Sequence, residues 1–145
     1  APMHDCAKQL VTALGSEGPV LVYTGYERRV LNTLIDMCPD LAPALEQIIE
    51  RLFDLHPVTR RHYYHPDMRG SWSLKQVLPT ITKDLGYDNL DMVTDGRAAE
   101  AAYQDLVSGD MPATQRDAIC QALLDHCRLD TLALVKLAKR LGGEE

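Results

Sequence analysis

Three groups of side chains in this sequence are placed where they could do chemistry. Glu27 directly follows an apolar run, Val20-Leu21-Val22-Tyr23, across a tight Thr24-Gly25 turn. An acid at a strand end that opens a helix projects from the sheet edge into the crevice where α/β folds hold their ligands. The same position suits the positive end of a helix dipole, so a structural role competes with a chemical one. Asp130 is the second acid. On a helical wheel of about 100° per residue, Ile119, Leu123, Cys127, Leu134, Leu137 and Leu141 form one stripe with Asp130 at its centre. Burying an aspartate charged is costly unless it is paired, metal-bound or open to a cleft. The competing expectation is a helix break, with Asp130 capping a new helix from Thr131. His126 precedes Asp130 by one turn, and its ring can share the same space.

The third group is the segment from Arg51 to Lys75. Arg51, Arg60, Arg61, Arg69 and Lys75 stand against Asp54 and Asp67, a local net of +3 in a chain of −6. Tyr63, Tyr64 and Trp72 interleave with these charges, as do His56, His62 and His65. Positive charge for phosphates and rings for stacking are what a single-stranded nucleic acid needs. A solvated loop whose rings fold back onto the core has the same composition. His62-x-x-His65 has metal-ligand spacing but no fixed third ligand, so a structural or surface role is expected for it.

These residues must be positioned by a chain of 145 residues and 16.2 kDa, enough for one domain over residues 1–145. Apolar residues make up 46% and charged residues 25%, which excludes a disordered tail, a collagen and a coiled-coil rod. With a net charge of −6, no global positive field recruits nucleic acid, and polyanion binding has to be local. No run is apolar and long enough to cross a bilayer, so no membrane partner is expected. Without a secretion leader, Cys6, Cys38, Cys120 and Cys127 are expected to be reduced thiols in a cytoplasmic protein. No Cys-x-x-Cys pair points to a zinc knuckle. Helical spacing is expected over 4–14, from Tyr26 to Ile35, from Leu41 to Phe53, from about Ser73, from Asp95-Gly96 to Leu106 and from Ala113 to Leu141. Only Val20–Tyr23 reads as a strand, short, apolar on both faces and bounded by breakers. A lone strand has two unpaired edges. Either strands hide in 54–70, or part of the sheet is missing from the chain.

Val22-Tyr23-Thr24-Gly25-Tyr26-Glu27, then Ser71-Trp72-Ser73-Leu74-Lys75, then His126-Cys127-Arg128-Leu129-Asp130-Thr131 follow one another in order. Together they resemble the later motifs of ribonuclease H-like 3′–5′ exonucleases, the superfamily named DEDD after its four acids. More closely, the chain resembles the C-terminal portion of a bacterial domain-of-unknown-function family, number 2779. The resemblance runs over nearly all of the chain, and Gly70–Pro79 is its most specific part. It implies an α/β, ribonuclease H-like fold, here a partial domain that is mostly helical with few strands. It further implies metal-dependent hydrolysis of DNA or RNA phosphodiesters from single-stranded 3′ ends, through two Mg²⁺ or Mn²⁺ ions. By position, Glu27 would be the second-motif acid and Asp130 the third-motif acid, both metal ligands. His126 would orient or deprotonate a metal-bound water, or pack beside Asp130. Arg60, Arg61, Arg69, Trp72 and Lys75 would hold the nucleic acid.

Two departures qualify that expectation. None of the 14 aspartates is followed two residues later by glutamate, so the Asp-x-Glu of the first motif is absent, which would also explain the lone strand. His126 stands four residues before Asp130, where one branch of the superfamily has tyrosine and the other has histidine one residue earlier. The chain by itself is therefore expected to be inactive, with its ion site weak or empty; were it to cut, another acid, such as Asp54, would have to substitute for the missing motif. The exposed strand edge at Val20–Tyr23 could pair with a second copy into a homodimer. The alternative is a non-catalytic nucleic-acid or protein-binding module that keeps the fold without the metal site.

Overall fold

The computed structural model describes residues 2–83, 93, 95–109 and 111–144. The chain divides into two compact units, Ala1–Tyr63 and Tyr64–Glu145. Among the described residues helix predominates over a small sheet of two strands, an α/β composition. No described helix is long and apolar enough to cross a membrane.

The first unit opens with α1 (Pro2–Leu14). Proline is harmless at a helix start because its missing N–H would have no partner there. Gly15, at φ 55°, ends the helix in the left-handed region, and its N–H donates to the Val11 carbonyl at 3.1 Å. Strand β1 (Val20–Val22) pairs in parallel with β2 (Leu52–Asp54), in the register Val20↔Leu52, Leu21↔Phe53 and Val22↔Asp54. Parallel strands need a long crossover. It is supplied by α2 (Tyr26–Met37), a 3₁₀ turn at Pro39–Leu41 and α3 (Ala42–Glu50). Ala7, Leu31, Leu34, Cys38, Leu45 and Ile48 form the buried core under the sheet's helices, and Val20 and Leu52 pack against it. Finally α4 (Leu55–His62) leaves the end of β2.

Two expectations need correction here. The helix expected to run to Phe53 ends at Glu50, and Leu52–Asp54 is a strand. Ile48, Ile49, Leu52 and Phe53 satisfy helical spacing, but so short a stretch does not discriminate between periods once a parallel partner is present. The segment 54–70, one place where the missing strands could hide, has as strand only the last residue of β2, followed by α4, with Pro57 tolerated in its first turn.

The second unit contains a 3₁₀ turn at Pro66–Met68, α5 (Leu74–Ile81), α6 (Gly96–Ser108) and α7 (Ala113–Leu141). Helix α5 follows Ser73 as expected and continues past Pro79, while Asp95 caps α6 by accepting the Ala98 N–H at 2.9 Å. Leu78, Leu129 and Ala133 form a core cluster with Leu74 against it. Helix α7 is unbroken, so Asp130 is not a cap. Its buried stripe is Ile119, His126, Leu129, Ala133 and Leu137. The expected stripe was rotated from this one: Cys127 is exposed and Asp130 borders the core with 47% of its side chain in solvent. Leucine, alanine, valine and isoleucine occur around most of this helix, so a wheel has no unique apolar face to find.

Candidate functional site

In the first unit, a group of polar side chains collects where the two parallel strands end. Tyr23 follows β1 directly and is buried. Its ring meets the His56 ring edge to face, with centroids 5.2 Å apart. The Tyr23 hydroxyl bonds to the Thr59 side chain, and the fully buried Thr59 hydroxyl donates onward to the Leu55 carbonyl at 2.7 Å. Burial pushes the Tyr23 phenol above its ordinary range; the Thr59 bond opposes that shift and the Asp54 charge reinforces it. Thr24 takes φ 74°, a left-handed conformation that is rare for a β-branched residue. Its N–H donates to Asp54 Oδ1 at 2.9 Å, and the same oxygen accepts the His56 N–H at 2.9 Å. Asp54 is thereby the N-cap of α4 and a tie between the ends of both strands.

Glu27 stands in the first turn of α2, three residues after Thr24. Gly25 precedes the helix without any side-chain cap, so the exposed helix dipole favours an acid here. One carboxylate oxygen, Oε2, is shut off from solvent. The expected placement of Glu27 at the carboxyl end of a strand is thus realised, and Asp54 occupies the same end. Asp54 entered the sequence analysis as a charge and a stand-in acid, but its readable signal was local. An aspartate at the end of an apolar run is an N-cap candidate, and a proline within the following turn is compatible with a helix start.

In the second unit, His126 is buried and Asp130 lies one turn later. His126 Nδ1 is 3.2 Å from the Val93 carbonyl oxygen. A carbonyl only accepts, so Nδ1 carries a proton. Nε2 then faces Asp130 Oδ2 at 3.5 Å. The pairing expected from the spacing of these two residues is present. Glu27 belongs to the first unit, and His126 and Asp130 to the second.

The basic residues have unequal roles. Arg51 is structural. Its guanidinium donates to the carbonyls of Leu14, Gly15, Glu17 and Gly18, at 2.7 Å for Gly15 and Glu17. It closes the end of α1 and the loop that leads into β1. Arg60 and Arg61 are exposed in the last turn of α4, where cations also suit the helix dipole. In the second unit, Arg69 is exposed in a left-handed turn at φ 51°, and the Tyr64 and Trp72 rings lie 6.2 Å apart at 46°. Lys75 is exposed in the first turn of α5, and its charge acts on Asp95.

The family model described as "Domain of unknown function (DUF2779)" matches residues 1–73. The chain belongs to this family. The matched region contains the whole strand pair, Glu27, Asp54, Arg60, Arg61, Arg69 and Trp72, and it stops before Lys75, His126 and Asp130. Comparisons with curated proteins and with solved structures give no match.

The exonuclease resemblance implies two divalent ions held by several converging carboxylates. Among the described residues, no group of three or more His, Cys, Asp or Glu side chains could hold a metal ion. These residues therefore do not fit a metal centre by themselves. All four cysteines are free, and Cys38 is buried.

Proposed function

We propose that this member of the family is part of a ribonuclease H-like, metal-dependent 3′–5′ exonuclease domain that acts on single-stranded DNA or RNA. The observation that carries the proposal is the position of Glu27. It follows the first of two parallel strands, at their carboxyl ends, in the first turn of the crossover helix. Ligands of open α/β sheets bind in that crevice. Glu27 and Asp130 are the carboxylates assigned to Mg²⁺ or Mn²⁺. The proposal also requires an Asp-x-Glu strand that this chain does not contain, because the described donors fall short of an ion site. His126, one turn before Asp130 with Nε2 3.5 Å from its carboxylate, is assigned to orienting or deprotonating a metal-bound water. Arg60, Arg61, Arg69 and Lys75 are assigned to phosphates and Trp72 to base stacking.

The test uses 5′-labelled single-stranded DNA and RNA with the natural protein that carries this chain, in Mg²⁺ and in Mn²⁺. Stepwise shortening from the 3′ end that is lost in Glu27→Gln and in Asp130→Asn is the expected result. No cutting, or cutting indifferent to both substitutions, would overturn the proposal. A second reading, a binding module without chemistry, is favoured by the Tyr64–Trp72 ring pair, 6.2 Å between centroids, and the exposed Arg69 in the same unit. It requires tight, salt-sensitive binding with no cutting in the same assay.

A further inference from the structure

We infer that Asp54 is the positioning residue for Glu27, acting through the strained Thr24 turn. This rests on the reading that Glu27 serves the reaction. The final register pair of the sheet is Val22↔Asp54, and beyond it the ladder has no further hydrogen bonds to offer. The Asp54 carboxylate takes over from the ladder. Its Oδ1 accepts the Thr24 N–H from the end of the first strand and the His56 N–H from the start of α4, each at 2.9 Å. Hydrogen bonds to a carboxylate are shorter and stronger than neutral ones.

The tie matters because of what it holds. Thr24 at φ 74° is in a conformation that its β-branched side chain disfavours, and such residues persist only where the surroundings over-determine them. Its neighbour Gly25 has φ −94° and no side chain to resist a change. Without the Asp54 acceptor, Thr24 relaxes to negative φ, Gly25 follows, and the start of α2 is re-aimed. Glu27 is two residues further on, in the first turn of α2, and its Oε2 is shut off from solvent. A cap serving α4 alone would need only the His56 bond. The second bond, to the other strand, is what links Asp54 to Glu27.

The experiment compares Asp54→Asn, which keeps an Oδ1 acceptor, with Asp54→Ala, which has none. Backbone NMR on the isotope-labelled chain reads the Thr24 φ angle from its amide–α-proton coupling and its carbon shifts. Asp54→Asn is expected to keep the positive φ and the Glu27 amide environment, and Asp54→Ala to lose both. In the 3′-shortening assay on the natural protein, Asp54→Asn should stay within about threefold of wild type. Asp54→Ala should lose kcat by about 10²-fold with KM little changed, the scale on which misplacement by about 1 Å acts.

If Asp54→Ala keeps the Thr24 angle, the inference is wrong. If Asp54→Asn fails as badly as Asp54→Ala, the carboxylate charge itself is used, and the inference is equally wrong. Should Asp54→Ala not fold, Asp54→Ser takes its place, because its shorter side chain can still cap α4. The same loss of the Thr24 angle and of kcat is expected, and a retained angle overturns the inference. A wild-type protein that does not cut defeats the proposed function, while the Thr24 angle still settles the role of Asp54.

Discussion

Tyr23 shows how a single side chain reports on the end of the strand pair. Its phenol is raised first by burial, with Asp54 adding to the shift and the Thr59 bond opposing it. The folded state therefore holds this proton at pH values where the unfolded chain releases it. Its contribution to stability is whole below the unfolded value of about 10 and is lost as pH rises through the higher folded value. In an alkaline titration followed by phenolate absorbance, one of the six tyrosines should ionise late, close to or with unfolding. Tyr23→Phe should remove that late component and cost about 1 kcal/mol through the lost Thr59 bond. Simultaneous ionisation of all tyrosines in the folded protein would count against the burial and hydrogen bonding described for this residue. Arg51 is the second residue with a sharp consequence. Four carbonyl oxygens of one loop converge on its guanidinium, a fork that lysine cannot reproduce. Arg51→Lys and Arg51→Ala should each lower unfolding free energy, the alanine variant by about 2–3 kcal/mol. Denaturant melts read this directly, and equal stability of Arg51→Lys and wild type would show that charge alone suffices.

At the scale of elements, legibility followed the strength of local signals. Helix α6 begins where Asp95-Gly96 said it would, because an aspartate N-cap acts within one turn. Its carboxyl is held below the usual range, first by the Ala98 N–H, with Lys75 and Arg97 contributing more weakly. The helix has no buried residue among those described, so its start depends on that cap. The cap contributes above the unfolded pKa of an aspartate and is lost as pH falls through the lower folded value. The protection of the first-turn amides of α6 against hydrogen exchange, taken relative to the unfolded chain at the same pH, should therefore fall on acidification, and Asp95→Ala should lower it already at neutral pH. Unchanged protection in Asp95→Ala would rule out the cap as the determinant. Strand β2 was hidden for the opposite reason. Leu52-Phe53-Asp54 is three residues long and becomes a strand through a partner some thirty positions earlier, which no local window contains. Asp130 was placed on the correct helix but at the centre of a stripe that lies one position away. The apolar residues around α7 gave the wheel several equivalent answers, and burial chose His126, Leu129 and Ala133. The acid at the end of β1 was legible because strand, breaker and helix start adjoin in sequence. The Asp54 tie was not, because it joins the ends of two strands.

For the molecule as a whole, the decisive question is whether this chain can cut nucleic acid by itself, and the expected answer is no. A two-metal site holds its ions about 3.5–4 Å apart and stabilises both the attacking and the leaving oxygen. Mg²⁺ dehydrates reluctantly and binds weakly through one or two carboxylates unless substrate phosphates complete its shell. Among the described residues no three donors converge, and no aspartate in the sequence begins an Asp-x-Glu. Binding is a separate matter, because it needs only cations and rings. Arg60, Arg61 and Arg69 are exposed, and Tyr64 has 62% of its surface in solvent. Each phosphate neutralised on a single strand contributes about 0.7 to the slope of log affinity against log salt. Replacing Arg60, Arg61 and Arg69 with glutamine should flatten that slope, and Lys75→Gln should flatten it less because Asp95 shares its charge. The purified chain, incubated with labelled single-stranded DNA and RNA in Mg²⁺ and in Mn²⁺, should bind in this salt-sensitive way and leave the strands intact. Stepwise 3′ shortening that vanishes in Asp130→Ala would defeat the expectation. It would mean that another acid completes the site, and Asp54→Asn, which keeps the Thr24 tie but removes the charge, would show whether Asp54 is that acid.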